Sequence, residues 1–132
     1  MANLQTALHA RLKANAGVVA ALGDRLFWNV VPQATALPYG RMQTVTDLRP
    51  QHLRGYDASR EVRVQVDVFA ATYNAARTAA EAIIAAVAEP ATVSGVQFGR
   101  GKAEGPRDLG EDTTVGFVHR LSLDLLIEHS LA

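Results

Sequence analysis

The segment Arg60-Glu-Val-Arg-Val-Gln-Val-Asp-Val-Phe69 alternates polar and apolar residues from Glu61 to Val68, and it gives way almost at once to Thr72-Tyr-Asn-Ala-Ala-Arg-Thr-Ala-Ala-Glu-Ala-Ile-Ile-Ala-Ala-Val-Ala88. Successive side chains of a strand point to opposite faces, so Val62, Val64, Val66 and Val68 share one face and Glu61, Arg63, Gln65 and Asp67 the other. Burying the valines contributes about 1.5 kcal/mol each, on the order of 6 kcal/mol together before chain entropy is subtracted. A slip of one residue would drive the charged set inward, so the register is fixed. The second segment has helical period. Asn74, Arg77, Thr78 and Glu81 fall on one side and Ala76, Ala79, Ala80, Ile83, Ile84 and Val87 on the other. Thr72 is suited to cap this helix and Pro90 to stop it.

Before this unit, residues 2–14 read as a helix with Leu4, Ala7, Leu8 and Leu12 on one face, and Val18–Leu22 as a further short turn ended by Gly23. Leu26–Val31 and Tyr39–Thr46 read as strands, the second closed off by Asp47 and Pro50, and Asp47–Ser59 reads as a long polar loop. After the unit come a short glycine-weakened strand within Ala91–Arg100, a charged loop over Gly101–Thr114 and a long strand over Val115–His129. In that last strand Phe117, Leu121, Leu123, Leu125 and Ile127 alternate with Val118, Arg120, Ser122, Asp124 and Glu128, and His119 interrupts the apolar face. The expected fold is a single α+β domain over residues 1–132, a mostly antiparallel sheet of about five strands with two helices packed on one face. The opposite face, with Arg63, Gln65, Asp67, Arg120, Ser122 and Asp124, is expected to be wet or covered by a partner.

Thirteen basic residues balance thirteen acidic ones in 132, so no global field attracts nucleic acid or an anionic membrane. No cysteine is present, which excludes disulfides, thiolate nucleophiles and thiolate metal sites. The opening Met1-Ala-Asn-Leu has no basic or apolar leader character, so no signal peptide is expected, and no apolar run approaches the roughly 20 residues of a membrane span.

Catalytic patterns are missing. His9, His52, His119 and His129 are scattered, with His9 expected on an exposed helix position and His129 at the terminus. Gly95-Val-Gln-Phe-Gly-Arg-Gly-Lys102 has the glycines of a phosphate loop. It fails on spacing, on Ala103 where a hydroxyl is required, and on the absence of a following helix. Glu104, Asp108, Glu111 and Asp112 lie in a segment with almost no apolar neighbour to raise a carboxyl pKa, and Ser59, Ser94 and Ser122 lack an elbow context. Catalytic, cofactor and metal sites are therefore all expected to be absent. Basic residues Arg49, Arg54, Arg100, Lys102 and Arg107 fall in the two long loops beside Asp47, Asp57, Glu104 and Asp108, with Tyr56 as the one aromatic residue there.

The opening helix with Leu4, Leu8 and Leu12, the run Val18-Val-Ala-Ala-Leu-Gly-Asp-Arg-Leu26, and the steps Pro32-Gln33 and Leu37-Pro38-Tyr39 resemble the tail terminator, or tail completion, proteins of long-tailed bacteriophages and gene transfer agents. Val64-Gln-Val-Asp-Val-Phe-Ala-Ala-Thr-Tyr73 with its alanine-rich helix, and Asp108-Leu109 through Thr114 to the strand Phe117–Glu128, extend the resemblance over nearly the whole chain. Gly40 departs from it, standing where an apolar residue is usual. The resemblance implies a structural protein, not an enzyme, that forms a hexameric ring, caps the tail tube, ends its polymerisation and joins the tail to the head. The implied partners are further copies of the chain, the tail tube protein, a head-tail connector protein and DNA passing non-specifically through the lumen, with no membrane. The implied place is the neck of the virion, assembled in the bacterial cytoplasm. Ring-interface or lumen roles are expected for Arg49, His52, Arg54, Tyr56, Asp57, Arg63, Asp67, Arg100, Lys102 and Arg107. The alternatives are a head-side neck adaptor, or a small α+β ligand-binding domain or enzyme with a cleft lined by His119 or Asp124.

Overall fold

Two strands carry the domain: β5 (Arg60–Ala70) and β10 (Gly116–Leu131) pair antiparallel from Arg60↔His129 to Ala70↔His119. The register sets Val62, Val64, Val66 and Val68 opposite Ile127, Leu125, Leu123 and Leu121, so the two apolar stripes form one continuous face, and all eight are buried. The structure is a computed structural model that describes residues 3–48, 51–52, 55–56, 60–114 and 116–131.

Three helices of the described residues cover that face. In α1 (Leu4–Ala14) the buried residues are Leu4, Ala7, Leu8 and Leu12, and Asn3 caps it by accepting from the Thr6 N–H at 2.8 Å. In α2 (Ala16–Leu22) Val18 and Leu22 are buried, and Asn15 accepts from the Val18 N–H at 3.1 Å. In α3 (Tyr73–Val87) Ala76, Ala79, Ala80, Ile83 and Val87 are buried, and Thr72 accepts from the Ala75 N–H at 3.2 Å. The expectation of two helices thus becomes three. Asn15 ends one helix and caps the next, so the interruption is a bend between helices and not a connection.

The sheet is also larger than expected. β2 (Tyr39–Leu48) pairs with the free edge of β5, and β1 (Leu26–Trp28) adds parallel to β2. The other edge of β10 is shared end to end by β9 (Glu111–Thr113), β8 (Lys102–Asp108) and β7 (Val96–Phe98), and β6 (Ala91–Val93) pairs with β7. Among the described residues eight strands therefore stand in the main sheet, mixed by the parallel β1–β2 pair, where about five were expected. The 101–114 segment is two strands and not a loop. The 16-residue edge of β10 leaves N–H and C=O groups that must be paired, and a polar segment running alongside meets that demand without an apolar alternation of its own. Ala91–Arg100 holds two short strands, because Ser94 and Gly95 both have positive φ (50° and 79°) and close a tight hairpin turn. Leu26–Val31 stops early as a strand at Trp28, where Asn29 turns the chain with φ 61°.

The segment expected as the loop 47–59 begins with the end of β2 and contains a separate two-stranded ribbon, β3 (Gln51–His52) with β4 (Gly55–Tyr56). Gly40, which departs from the resemblance, has a packing cause. A Cβ there would stand 2.8 Å from Leu26 Cδ1, so glycine lets Leu26 of β1 pack over β2 without either side chain shifting.

Candidate functional site

The face of the sheet away from the helices follows from the same alternation. It carries Tyr39 and Arg41 of β2, Arg63, Gln65, Asp67 and Phe69 of β5, Arg120, Ser122 and Asp124 of β10, and Glu104 and Arg107 of β8. Its centre is not wet. The Asp67 side chain is 1% exposed and lies beneath the guanidiniums of Arg120, at 3.1 Å, and Arg41, at 3.4 Å. Gln65 donates to both of its carboxylate oxygens at 3.2 and 3.3 Å, and Arg107 donates to Ser122 Oγ at 3.4 Å. Burial alone would raise the Asp67 pKa. Hydrogen bonds from Ser122, Arg120 and Gln65, with the positive charge of Arg120, outweigh that and hold it below its ordinary value of 3.8. The Arg120 guanidinium also lies 5.5 Å over the Phe69 ring, which stacks on Tyr39 at 4.9 Å.

Lower on this face Arg63 donates to Asp124 at 2.7 Å and Glu104 at 3.0 Å, tying β5 to β10 and β8. Those bonds, Asp124 first, raise the Arg63 pKa. Asp124 is thus an ion-pair partner, not the wall of a cleft. Arg100 precedes β8 and pairs with Glu89 at 3.4 Å. Lys102 lines a shallow depression of about 280 Å³ with Glu61, Arg100, Leu126 and Glu128.

Of the residues expected at an interface, Arg63, Asp67 and Arg107 lie on this one face, and Lys102 joins them at the level of Arg63, both standing opposite Leu126, with Arg100 just beyond β8. His52 and Tyr56 belong to the backbone of the β3–β4 ribbon, and Arg49, Arg54 and Asp57 lie outside the described residues. Arg41 and the Tyr39–Phe69 pair were missed by sequence reasoning. Parity along Tyr39–Thr46 would have placed Arg41 with Tyr39, but the pairing of that strand to β5 is not written in its own residues.

Two histidines correct their expected settings. His9 is half-buried, with Nε2 hydrogen-bonded to the Leu26 carbonyl at 2.8 Å. His129 is 8% exposed, and burial first, then the charge of Arg60, lowers its pKa from 6.5, with Asp47 opposing. Among the described residues no group of three histidine and acidic side chains is placed to hold a metal, and no helix is long and apolar enough to cross a membrane.

A helix-backed mixed sheet whose outer face is tied by arginine–carboxylate contacts defines an α+β domain. The family model for "Tail completion protein gp17" matches residues 6–128, and the chain belongs to that family. It is accordingly a structural tail completion protein and not an enzyme. Among solved structures, a chain from the virion of a native gene transfer agent particle is similar in fold, with a TM-score of 0.67 at 17% identity, covering 96% of this chain and 94% of that one. A second solved chain aligns over 99% of this chain and 97% of its own, with a TM-score of 0.51 at 16% identity. No curated protein matches significantly.

Proposed function

We propose that the protein forms a ring, hexameric as in the resemblance, that seats on the end of a tail tube, ends its polymerisation and joins the tail to the head connector, with DNA passing through its lumen. The observation that carries this reading is the tail completion family match, which runs through both helix-and-sheet halves of the domain. The similar fold of a gene transfer agent virion chain agrees with a place in the virion neck. In a ring several weak contacts act together, so the assembly is held by avidity and not by one strong site. The charged residues Arg63, Asp67, Arg100, Lys102 and Arg107, with Arg49, His52, Arg54, Tyr56 and Asp57 of the 49–57 segment, are the proposed interface or lumen positions. Assembly takes place in the bacterial cytoplasm.

Particles made without the gene test the reading by electron microscopy. Overlong tails are expected. Tails of normal length detached from heads would assign the protein to the head side of the neck instead.

A further inference from the structure

At the end of the sheet where β9 and β10 turn, the helix side exposes a cluster of aromatic groups. Phe117 is 49% and Tyr73 40% exposed, and the His119 ring sits edge-on to both, with centroids at 4.8 and 6.2 Å. These three side chains line a depression of about 230 Å³ together with Asp108, Gly110, Leu121 and Arg120, whose guanidinium is turned to Asp67 on the opposite face. Asp112 stands opposite Phe117 and Asp108 opposite Leu121 in the ladder, which puts both carboxylates on this side. Neither joins an ion pair among the described residues. The depression is thus aromatic with an acidic rim.

The other face of the same end has the complementary character. Arg41 and Arg120 contact one buried carboxylate, Asp67, and Arg107 stands beside them on Ser122, so this end of the face holds three guanidiniums about one carboxylate, while lower down Arg63 is taken up by Asp124 and Glu104. The stacked Tyr39–Phe69 rings lie beside them. Because the two surfaces are on opposite faces of one sheet, they cannot meet within a chain. Between copies they can, and a contact of one face with the opposite face of the next copy is heterologous, the kind that closes into a ring when the rotation permits.

We infer that the Tyr73–Phe117–His119 depression with Asp108 and Asp112 takes the Arg41–Arg107–Arg120 face of a second copy of this chain, so that these two surfaces are the repeating contact of the assembly. The inference rests on the ring reading given above and names its contacts. Arg41 and Arg120 are already anchored by Asp67, so their guanidiniums are pre-positioned and lose little freedom on association. Arg107 is the least tied of the three and forms the outer charge of the contact.

The chain has no cysteine, so paired cysteines report on the contact directly. Arg107→Cys combined with Asp112→Cys in the full-length protein, oxidised alone and on purified tail tubes, is expected to give a ladder of covalent multimers, whereas each single variant stops at dimers. Arg107→Glu or Asp112→Arg alone is expected to weaken self-association about tenfold or more, and the exchanged pair in one chain to restore it. Wild-type rings seen by sedimentation without a ladder from the cysteine pair would overturn the assignment of surfaces and leave the ring reading standing. So would a ladder of equal strength from the control pair Lys13→Cys and Arg77→Cys, or crosslinks to the tube subunit alone. Wild-type protein that stays monomeric at every concentration and leaves tube ends uncapped would overturn the ring reading itself.

Discussion

The Asp67 carboxylate lies 3.1 Å from the Arg120 guanidinium with its own side chain only 1% exposed, so a full negative charge is held inside the sheet surface by the groups stacked over it. Removing that charge strands Arg41 and Arg120, whose Nε atoms are buried and already without partners. Because those arginines are still 31% and 29% exposed, Asp67→Ala is expected to cost about 1–3 kcal/mol, the penalty for stranding partly buried donors. Replacing the cluster together, Asp67→Leu with Arg41→Met and Arg120→Met, should cost far less. Urea unfolding of the single and triple variants decides between them. A single-variant loss below about 1 kcal/mol would mean that the pair is screened like a surface bridge.

The same carboxylate predicts an acid transition. Its folded pKa lies below the ordinary 3.8, so the folded state binds fewer protons than the unfolded chain in that range. Its contribution is complete above about 3.8 and is lost as pH falls through the depressed folded value. Asp67→Asn should flatten the stability profile in that window and leave it unchanged in shape at neutral pH.

His129 predicts a second dependence at milder pH. Its folded pKa is lowered from 6.5 by burial and by Arg60, so the unfolded chain takes up the proton first. Stability is full above about 6.5 and falls as pH drops towards the folded value, with a slope of at most about 1.4 kcal/mol per pH unit, the limit for one proton. His129→Phe keeps an aromatic ring, somewhat larger than imidazole, and removes both the titration and the unpartnered Nε2. Thermal unfolding across the mildly acidic range should be flatter for the variant, and an unchanged slope would rule His129 out as its source.

Gly40 gives a packing test. A methyl group at this position meets Leu26 Cδ1 at 2.8 Å, inside contact distance, and overpacking of this kind costs about 1–3 kcal/mol. Gly40→Ala should be destabilised by that amount in urea unfolding, and Leu26→Val should recover part of it by drawing the side chain back. If the two changes were additive, the close approach would not be the cause.

How legible these features are in the sequence depends on whether a residue's setting is local. The β5 valines, the α3 alanine stripe, the Thr72 cap and the β10 leucines announce themselves through period and are buried on the expected faces, whereas Ile84 is only partly buried and Phe117 is exposed. The strands β8 and β9 do not, because Lys102–Asp108 and Glu111–Thr113 pair only as a consequence of the long β10 edge beside them. For the same reason Asp67 reads as an ordinary surface carboxylate. Its burial is created by Arg41 and Arg120 arriving from two other strands, 26 and 53 positions away in the chain. The Asp108–Phe117 depression likewise needs Tyr73 from α3, and nothing in the local pattern of either segment specifies that meeting.

The outer edge of β2 shows how the domain limits unwanted pairing. β1 covers only Gly40 to Met42, so from Gln43 onward no described strand lies alongside. A bulge interrupts this stretch between Thr44 and Thr46, and the extra residue, Val45, is 49% exposed. Thr44 pairs with Val64 and Thr46 with Arg63, so the ladder on either side of Val45 is in step once that residue is passed over. Deleting Val45 should therefore preserve every pair to β5 and change stability by less than about 1 kcal/mol, in contrast to a one-residue slip that exchanges faces. What it removes is the local twist that makes an open edge a poor template. The deletion variant is expected to unfold normally in urea yet to show raised turbidity and a larger sedimentation coefficient with concentration. Normal solubility with lost stability would show instead that the bulge serves the packing of β2 on β5.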